Sequence, residues 1–383
     1  MKKLALTNGI FLVIAAVTFA ATARQATAAE EPAAKPAVDA KAYQKMVDRA
    51  IGFLKTKGQA EDGSYTSFAG PGVTALVTAG VMRNGRSPDD PLVAKSLKYL
   101  EGFVQPDGGI YKTGTFYRNY ETSVCLLCFV EANKDGRYKK IIAGADRFLK
   151  GLQWDEDEEQ KPEDLGYGGA GYGRHKRPDL SNTSFLVDAL IAAGNGPDDE
   201  AVKKALIFIN RCQNLETEHN TTKFSTKNPD GGFYYTPAAG GSSQAGETAA
   251  GGLRSYASMT YAGLKSMLYA GVKADDPRVK AALAWAEKHY DLSTNPGLGS
   301  AGLYYYYHVF AKALDATGKD YIEDADGKKH NWRADLIAKL IEKQQADGSW
   351  VNENERWLEG DPNLVTAYAL LSLAYCRPAL EKK

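Results

Sequence analysis

Apolar residues recur along this chain at the spacing of one helix face, in six stretches. Tyr43, Met46, Val47, Ala50, Ile51 and Leu54 mark the first; Val93, Leu97, Leu100 and Val104 mark the second. Ile141, Ala145, Phe148, Leu149 and Leu152 follow, then Val202, Ala205, Leu206 and Ile209. Val279, Leu283 and Ala286 form the fifth, and Leu336, Ile337, Leu340 and Ile341 the sixth. The other faces of these stretches are charged, which predicts helices with one side in water. Other stretches, such as Thr74–Ala79, Thr183–Leu190, Met259–Leu264 and Val365–Leu370, carry almost no charge. A helix apolar all round is a buried one.

Gly-rich aromatic turns link the two kinds of helix, among them Gln105-Pro106-Asp107-Gly108-Gly109, Asn228-Pro229-Asp230-Gly231-Gly232 and Gln345-Ala346-Asp347-Gly348-Ser349-Trp350. Gly80, Gly194, Gly271 and Gly318 are expected as left-handed caps that end inner helices. Aspartates in Asp89-Asp90-Pro91, Asp198-Asp199 and Asp275-Asp276-Pro277 are expected to cap the next outer helices. Self-similarity of this kind decides the architecture first. The expectation is all-α: an (α/α)6 toroid of six helical pairs joined by Gly/aromatic turns, with an open superhelical solenoid as the competing geometry. The units run over about 41–90, 91–139, 140–200, 201–277, 278–331 and 332–383, a single domain over 41–383.

Ahead of the repeats, Lys2 and Lys3 precede the apolar run Phe11–Ala20, and Ala26-Thr27-Ala28 offers a cleavage site. Residues 1–28 are expected as a signal peptide and 29–40, rich in Ala, Pro and Glu, as a disordered linker. The expected location is outside the cytoplasm, periplasmic or secreted, with no membrane span after cleavage. Lys plus Arg and Asp plus Glu each number 47, so charge makes no case for nucleic acid.

The turns resemble the QW-type repeats of squalene and hopene cyclases and of protein prenyltransferase β subunits, with Gln345–Trp350 and Gln105–Gly109 the nearest matches. The resemblance spans Tyr43 to about Arg377. It implies an α/α toroid and, commonly, isoprenoid substrates. Cyclases of the proton-initiated class carry Asp-x-Asp-Asp-Thr-Ala at the start of an inner helix. Here Asp179-Leu180-Ser181-Asn182-Thr183-Ser184 keeps the first Asp and the Thr but puts Ser181 where the protonating acid belongs. Prenyltransferases hold zinc with Asp-x-Cys and a distant His; Tyr307-His308 resembles the His segment, but no Asp-x-Cys occurs. Standard chemistry of either kind is therefore not expected, and no cofactor or metal is assigned.

The remaining candidates sit at predicted inner-helix entrances, which a toroid gathers at one rim. Asp179, His308, Glu121 and Glu247 are the candidate catalytic groups. Tyr117, Tyr120, Asn182, Arg254, Tyr256, Tyr306, Tyr307, Trp357 and Asp361 are the candidate substrate-binding ones, with Arg174 and His175 nearby. Aromatic rings at such a rim suit a hydrophobic small molecule or a sugar polymer alike. A polysaccharide lyase or glycosidase, using paired carboxylates, and a non-catalytic scaffold both stay open at this point.

Overall fold

The computed structural model describes residues 39–173 and 177–377. Its α-helices are α1 (Ala40–Phe53), α2 (Gly72–Arg83), α3 (Pro91–Glu101), α4 (Arg118–Ala132), α5 (Lys139–Lys150), α6 (Leu180–Ala192), α7 (Glu200–Arg211), α8 (Ala257–Tyr269), α9 (Pro277–Lys288), α10 (Leu303–Ala316), α11 (Trp332–Lys343) and α12 (Pro362–Cys376). The even-numbered helices form the inner layer. Each packs on the next, and α12 packs back on α2, so the ring closes and the open solenoid is excluded. The odd-numbered helices cover the inner ring from outside. The fold is an α/α toroid. Among the described residues no helix is long and apolar enough to cross a membrane. The expected signal peptide lies outside the described residues, as do Arg174 and His175; of the expected linker only Asp39 and Ala40 are described, and there Asp39 caps α1.

One backbone pattern builds all six turns. In the second, the Gln105 N–H donates to the Gly109 carbonyl and the Gly108 N–H donates to the Gln105 carbonyl. The pairs Ala60/Ser64, Trp154/Gly169, Asn214/Gly232, Asn295/Gly299 and Gln345/Ser349 repeat it. The turn glycine has a second constraint. A Cβ on Gly63, Gly168 or Gly348 would collide with the backbone carbonyl of Lys95, Lys204 or Arg49, on the next outer helix in each case. These glycines also sit at positive φ. Gly348 against Arg49 is one of the contacts that carry the last unit back onto the first.

Glutamines staple the same seam. Gln59 Nε2 donates to the Leu92 carbonyl at 2.8 Å, Gln153 to Ala201 at 2.9 Å, Gln213 to Arg278 at 2.9 Å and Gln344 to Met46 at 2.9 Å. The first three satisfy a carbonyl in the first turn of the following outer helix, and Gln344 reaches one further along α1. The stapling residue is Gln344, one place ahead of the motif's Gln345.

The inner helices are tied to the turns by threonine. Thr74, Thr122, Thr183, Thr260 and Thr366 each accept a backbone N–H of the preceding turn region at 2.9–3.2 Å. Asp90, Asp199 and Asp276 cap α3, α7 and α9 through side-chain acceptance. Gly194, Gly271 and Gly318 follow their helices at positive φ, whereas Gly80 lies inside α2, where its missing side chain lets α12 approach: an added Cβ would sit 3.2 Å from Leu370. Gly85 takes the left-handed position instead. A short hairpin, β1 (Tyr321–Glu323) and β2 (Lys329–Asn331), departs from the all-helical expectation. Its Asp326-Gly327 turn is an ordinary hairpin signal. Cys125, Cys128, Cys212 and Cys376 are free and buried.

Candidate functional site

A cavity of about 470 Å³ opens where the N-terminal ends of the inner helices meet. Its wall is aromatic because four of the inner helices turn a ring inward. The Tyr120 ring (α4) meets Phe185 (α6) edge-on at 5.3 Å, Phe185 lies 6.1 Å from Tyr305 (α10), and Tyr305 meets Tyr368 (α12) at 5.9 Å. A hydroxyl contact between Tyr368 and Tyr120 completes the circuit. Tyr117, Tyr172, Tyr235 and Tyr256 extend the wall, and no Lys or Arg lines it among the described residues. Burial raises the hydroxyl pKa of Tyr120, Tyr172, Tyr235, Tyr256, Tyr305 and Tyr368, to about 12 at Tyr172, so these rings are neutral.

Two loops form the mouth. Phe68 stands exposed on one and Trp357 on the other. Thr66, Trp357 and Leu358 have φ of 53°, 58° and 66°, left-handed values that bulky residues avoid. Thr66 Oγ1 donates to the Asp361 carboxylate at 2.9 Å, which latches the loops together. Strain of this kind collects at sites that bind or react.

Two acids line the cavity. Glu121 accepts the Lys112 N–H at 2.8 Å and the Thr115 hydroxyl at 3.1 Å, and burial pushes its carboxyl up to about 7. Glu359 accepts the N–H groups of Tyr304 and Tyr305, capping α10, and burial raises it too. Asp179 lies behind the wall. It accepts the Asn182 N–H at 2.9 Å and its Nδ2 at 2.8 Å and takes the Tyr235 hydroxyl; burial raises it to about 6. Asn182 faces the cavity, and its Oδ1 has no partner. Ser181 shares a 3.1 Å hydrogen bond with Tyr305.

Of the expected site residues, Glu121, Tyr117, Tyr120, Asn182, Tyr256 and Trp357 line the cavity. The others fall elsewhere for physical reasons. Tyr306 and Tyr307 point outward and donate to the Asp291 and Leu292 carbonyls at 2.7 and 2.5 Å, because the phase of α10 turns Tyr305 inward. Glu247 and Arg254 are exposed on a loop, where Arg254 Nε donates to the Glu247 carbonyl. Asp361 caps α12 through the Leu364 N–H.

His308 does not open the cavity. It lies one turn past Tyr305, stacked on Tyr368 at 5.8 Å, and is held neutral by burial, with Lys312 adding to the effect. Behind it Asp188 (α6) pairs with Lys265 (α8) at 2.6 Å and Lys312 (α10) at 2.7 Å, a buried cluster joining three inner helices. Sequence reading missed Phe68, Tyr172, Phe185, Tyr235 and Tyr368, and within the run Tyr304–Tyr307 it chose Tyr306 and Tyr307 over Tyr305. The i, i+3, i+7 spacing of Tyr305, His308 and Lys312 was the available signal for the inward stripe of α10.

No protein-family model matches the sequence, and no curated protein does. Solved structures match in fold. The apo type II terpene cyclase MstE from Scytonema aligns at a TM-score of 0.53 and 15% identity, over 89% of this chain and 99% of that one. A variant of that cyclase in complex with geranylgeranyl dihydroxybenzoate, its substrate, aligns at 0.52 and 15% identity over 89% and 99%. A polysaccharide lyase aligns at 0.52 and 11% identity, over 89% and 98%. The shared property is the α/α toroid, and this fold hosts both chemistries.

Proposed function

We propose that this chain is an exported protein that holds an isoprenoid or similar lipid in its aromatic cavity, without standard cyclase or zinc prenyltransferase chemistry. The observation that carries the proposal is the closed neutral wall of Tyr120, Phe185, Tyr305 and Tyr368, with no cation among the described lining residues. Pockets that bury a ligand against aromatic walls with few polar groups suit apolar guests. The terpene cyclase with a geranylgeranyl substrate supports the same guest class. Lys2, Lys3 and the Phe11–Ala20 run support export.

The chemistry of the site disfavours cyclisation. Ser181, where the protonating acid would stand, is a hydroxyl and is already bonded to Tyr305. Thr183 is accounted for by the repeat, since four other inner helices place a threonine in the same bond. Two ammoniums against one carboxylate leave net positive charge behind the wall, which opposes a carbocation in the cavity. Among the described residues no three His, Cys, Asp or Glu converge as a metal site. The carbohydrate alternative draws on Glu121 and Glu359, but both are spent on backbone N–H groups.

Organic extraction of the purified protein followed by mass spectrometry tests the proposal. The expected result is an apolar lipid near one equivalent, and direct titration with geranylgeraniol should quench Trp357 fluorescence. An oligosaccharide in the extract, or a lipid-free protein that no prenyl compound quenches, overturns it.

A further inference from the structure

The cavity wall contains one acceptor that the fold leaves unmet. Asn182 is 1% exposed, lines the cavity, and its Oδ1 has no hydrogen-bond partner. Its orientation is fixed. The Nδ2 group donates to Asp179 Oδ2 at 2.8 Å, and a carboxylate there requires the donor end of the amide to face it. Asp179 is itself held by the Asn182 N–H at 2.9 Å and by the Tyr235 hydroxyl. Asp179 is thus a positioning residue that aims a carbonyl oxygen at the guest. A buried acceptor left unmet is costly, so the complementary ligand brings a donor.

The surroundings set the charge of that donor. Tyr172 and the Ser181–Tyr305 pair are hydroxyls, which can both give and take a hydrogen bond. A diphosphate needs Lys or Arg, and none lines the cavity among the described residues. A cationic head meets the net positive charge of Lys265 and Lys312 around Asp188. A neutral donor meets no such penalty.

We infer that the guest is a prenyl-type chain ending in a neutral hydrogen-bond donor, an alcohol or a phenol, whose hydroxyl bonds to Asn182 Oδ1. This rests on the lipid proposal above and narrows it to one headgroup class.

The test uses three probes on the whole protein: geranylgeraniol, its methyl ether and geranylgeranyl diphosphate. The ether keeps the chain and the oxygen and loses only the donor. The alcohol is expected to bind at least about tenfold tighter than either of the others, the ratio that one hydrogen bond to a buried acceptor supplies. In Asn182→Leu that advantage disappears while the ether's affinity holds. In Tyr172→Phe, which removes a hydroxyl that contacts Asn182 and Tyr235, it falls by a smaller factor, about threefold. Equal binding of alcohol and ether by the unaltered protein, or tighter binding of the diphosphate, overturns the headgroup inference and leaves the lipid proposal standing. Binding of none of the three overturns both. The alcohol–ether comparison needs no variant, so a misfolded substitution does not remove the test.

Discussion

The outer seam and the cavity mouth are built from similar residues under opposite rules. At the seam every turn makes the same two backbone bonds, and glycines occupy the left-handed positions beside a neighbouring helix's carbonyl. At the mouth the left-handed positions belong to Thr66, Trp357 and Leu358, which no repeat requires. The seam spends its residues on closure, while the mouth carries strain and an unmet acceptor. The difference teaches where stability ends and binding begins in this ring.

The sharpest way to break the comparison is at the seam. Gly168→Ala places a methyl against the Lys204 carbonyl at a φ of 79°. Both the clash and the strained φ count, and a loss of at least about 3 kcal/mol is expected in urea unfolding. Gln213→Leu is next. It strips the Gly231 and Arg278 carbonyls of their donor at a buried site, for a loss of about 2 kcal/mol. Gln105→Leu should cost less, because Gln105 is only partly buried and bonds within its own turn, to Phe103 and Tyr111. Equal losses at Gln105 and Gln213 would show that bridging outer helices contributes nothing beyond the local turn.

The seam was legible in the sequence because several units state the same requirement. Gln-x-Asp-Gly, the aspartate caps and the alternation of one-sided and all-apolar helices each recur, so a single ambiguous unit does no harm. The exceptions have causes. An insertion separates Gln153 and Trp154 from Gly168, and another separates Gln213 from Gly231, so those staples were invisible as motifs. The mouth was half legible. Inner-helix entrances do gather there, which placed Tyr120, Glu121, Asn182 and Tyr256 at the cavity. Side-chain direction was harder to read, since one residue along a helix is a rotation of about 100°. That is the whole difference between Tyr305, which faces the cavity, and Tyr306, which does not. Loop residues such as Phe68 carry no periodicity to follow. Sequence order leaves Asp179 ambiguous, because a capping aspartate and a repeat threonine, Thr183, share the spacing of a catalytic motif.

The acids sharpen the comparison by pH. Burial holds Glu121 at about 7 in the folded chain, above its ordinary 4.5. A group raised on folding stabilises below its unfolded pKa, and that contribution is lost as pH rises through the folded value. The unaltered protein should therefore lose stability relative to Glu121→Gln between about pH 4.5 and 7, by roughly 2 kcal/mol. Thermal melts of the two proteins across that range give the difference directly. A flat difference would mean that Glu121 is ionised and solvated at the mouth, and that the neutral wall is broken there.

The smallest stability effect belongs to the strained loop. Trp357 packs its ring over Gly302, where an added Cβ would sit 3.0 Å from the indole, and Arg356 stacks on it at 4.2 Å. Replacing Trp357 by Gly removes those contacts but releases a left-handed backbone that glycine adopts freely. The two terms oppose, so stability should stay within about 1 kcal/mol of the unaltered protein. Affinity for a prenyl alcohol should nonetheless fall several-fold, because the indole closes the cavity and glycine does not. Leu358→Gly separates the terms: it relieves the neighbouring strain and keeps the indole, so binding should hold better than in Trp357→Gly. If both variants bind the guest as well as the parent does, the strain has no part in binding. The mouth would then be, like the seam, only a way of joining helices.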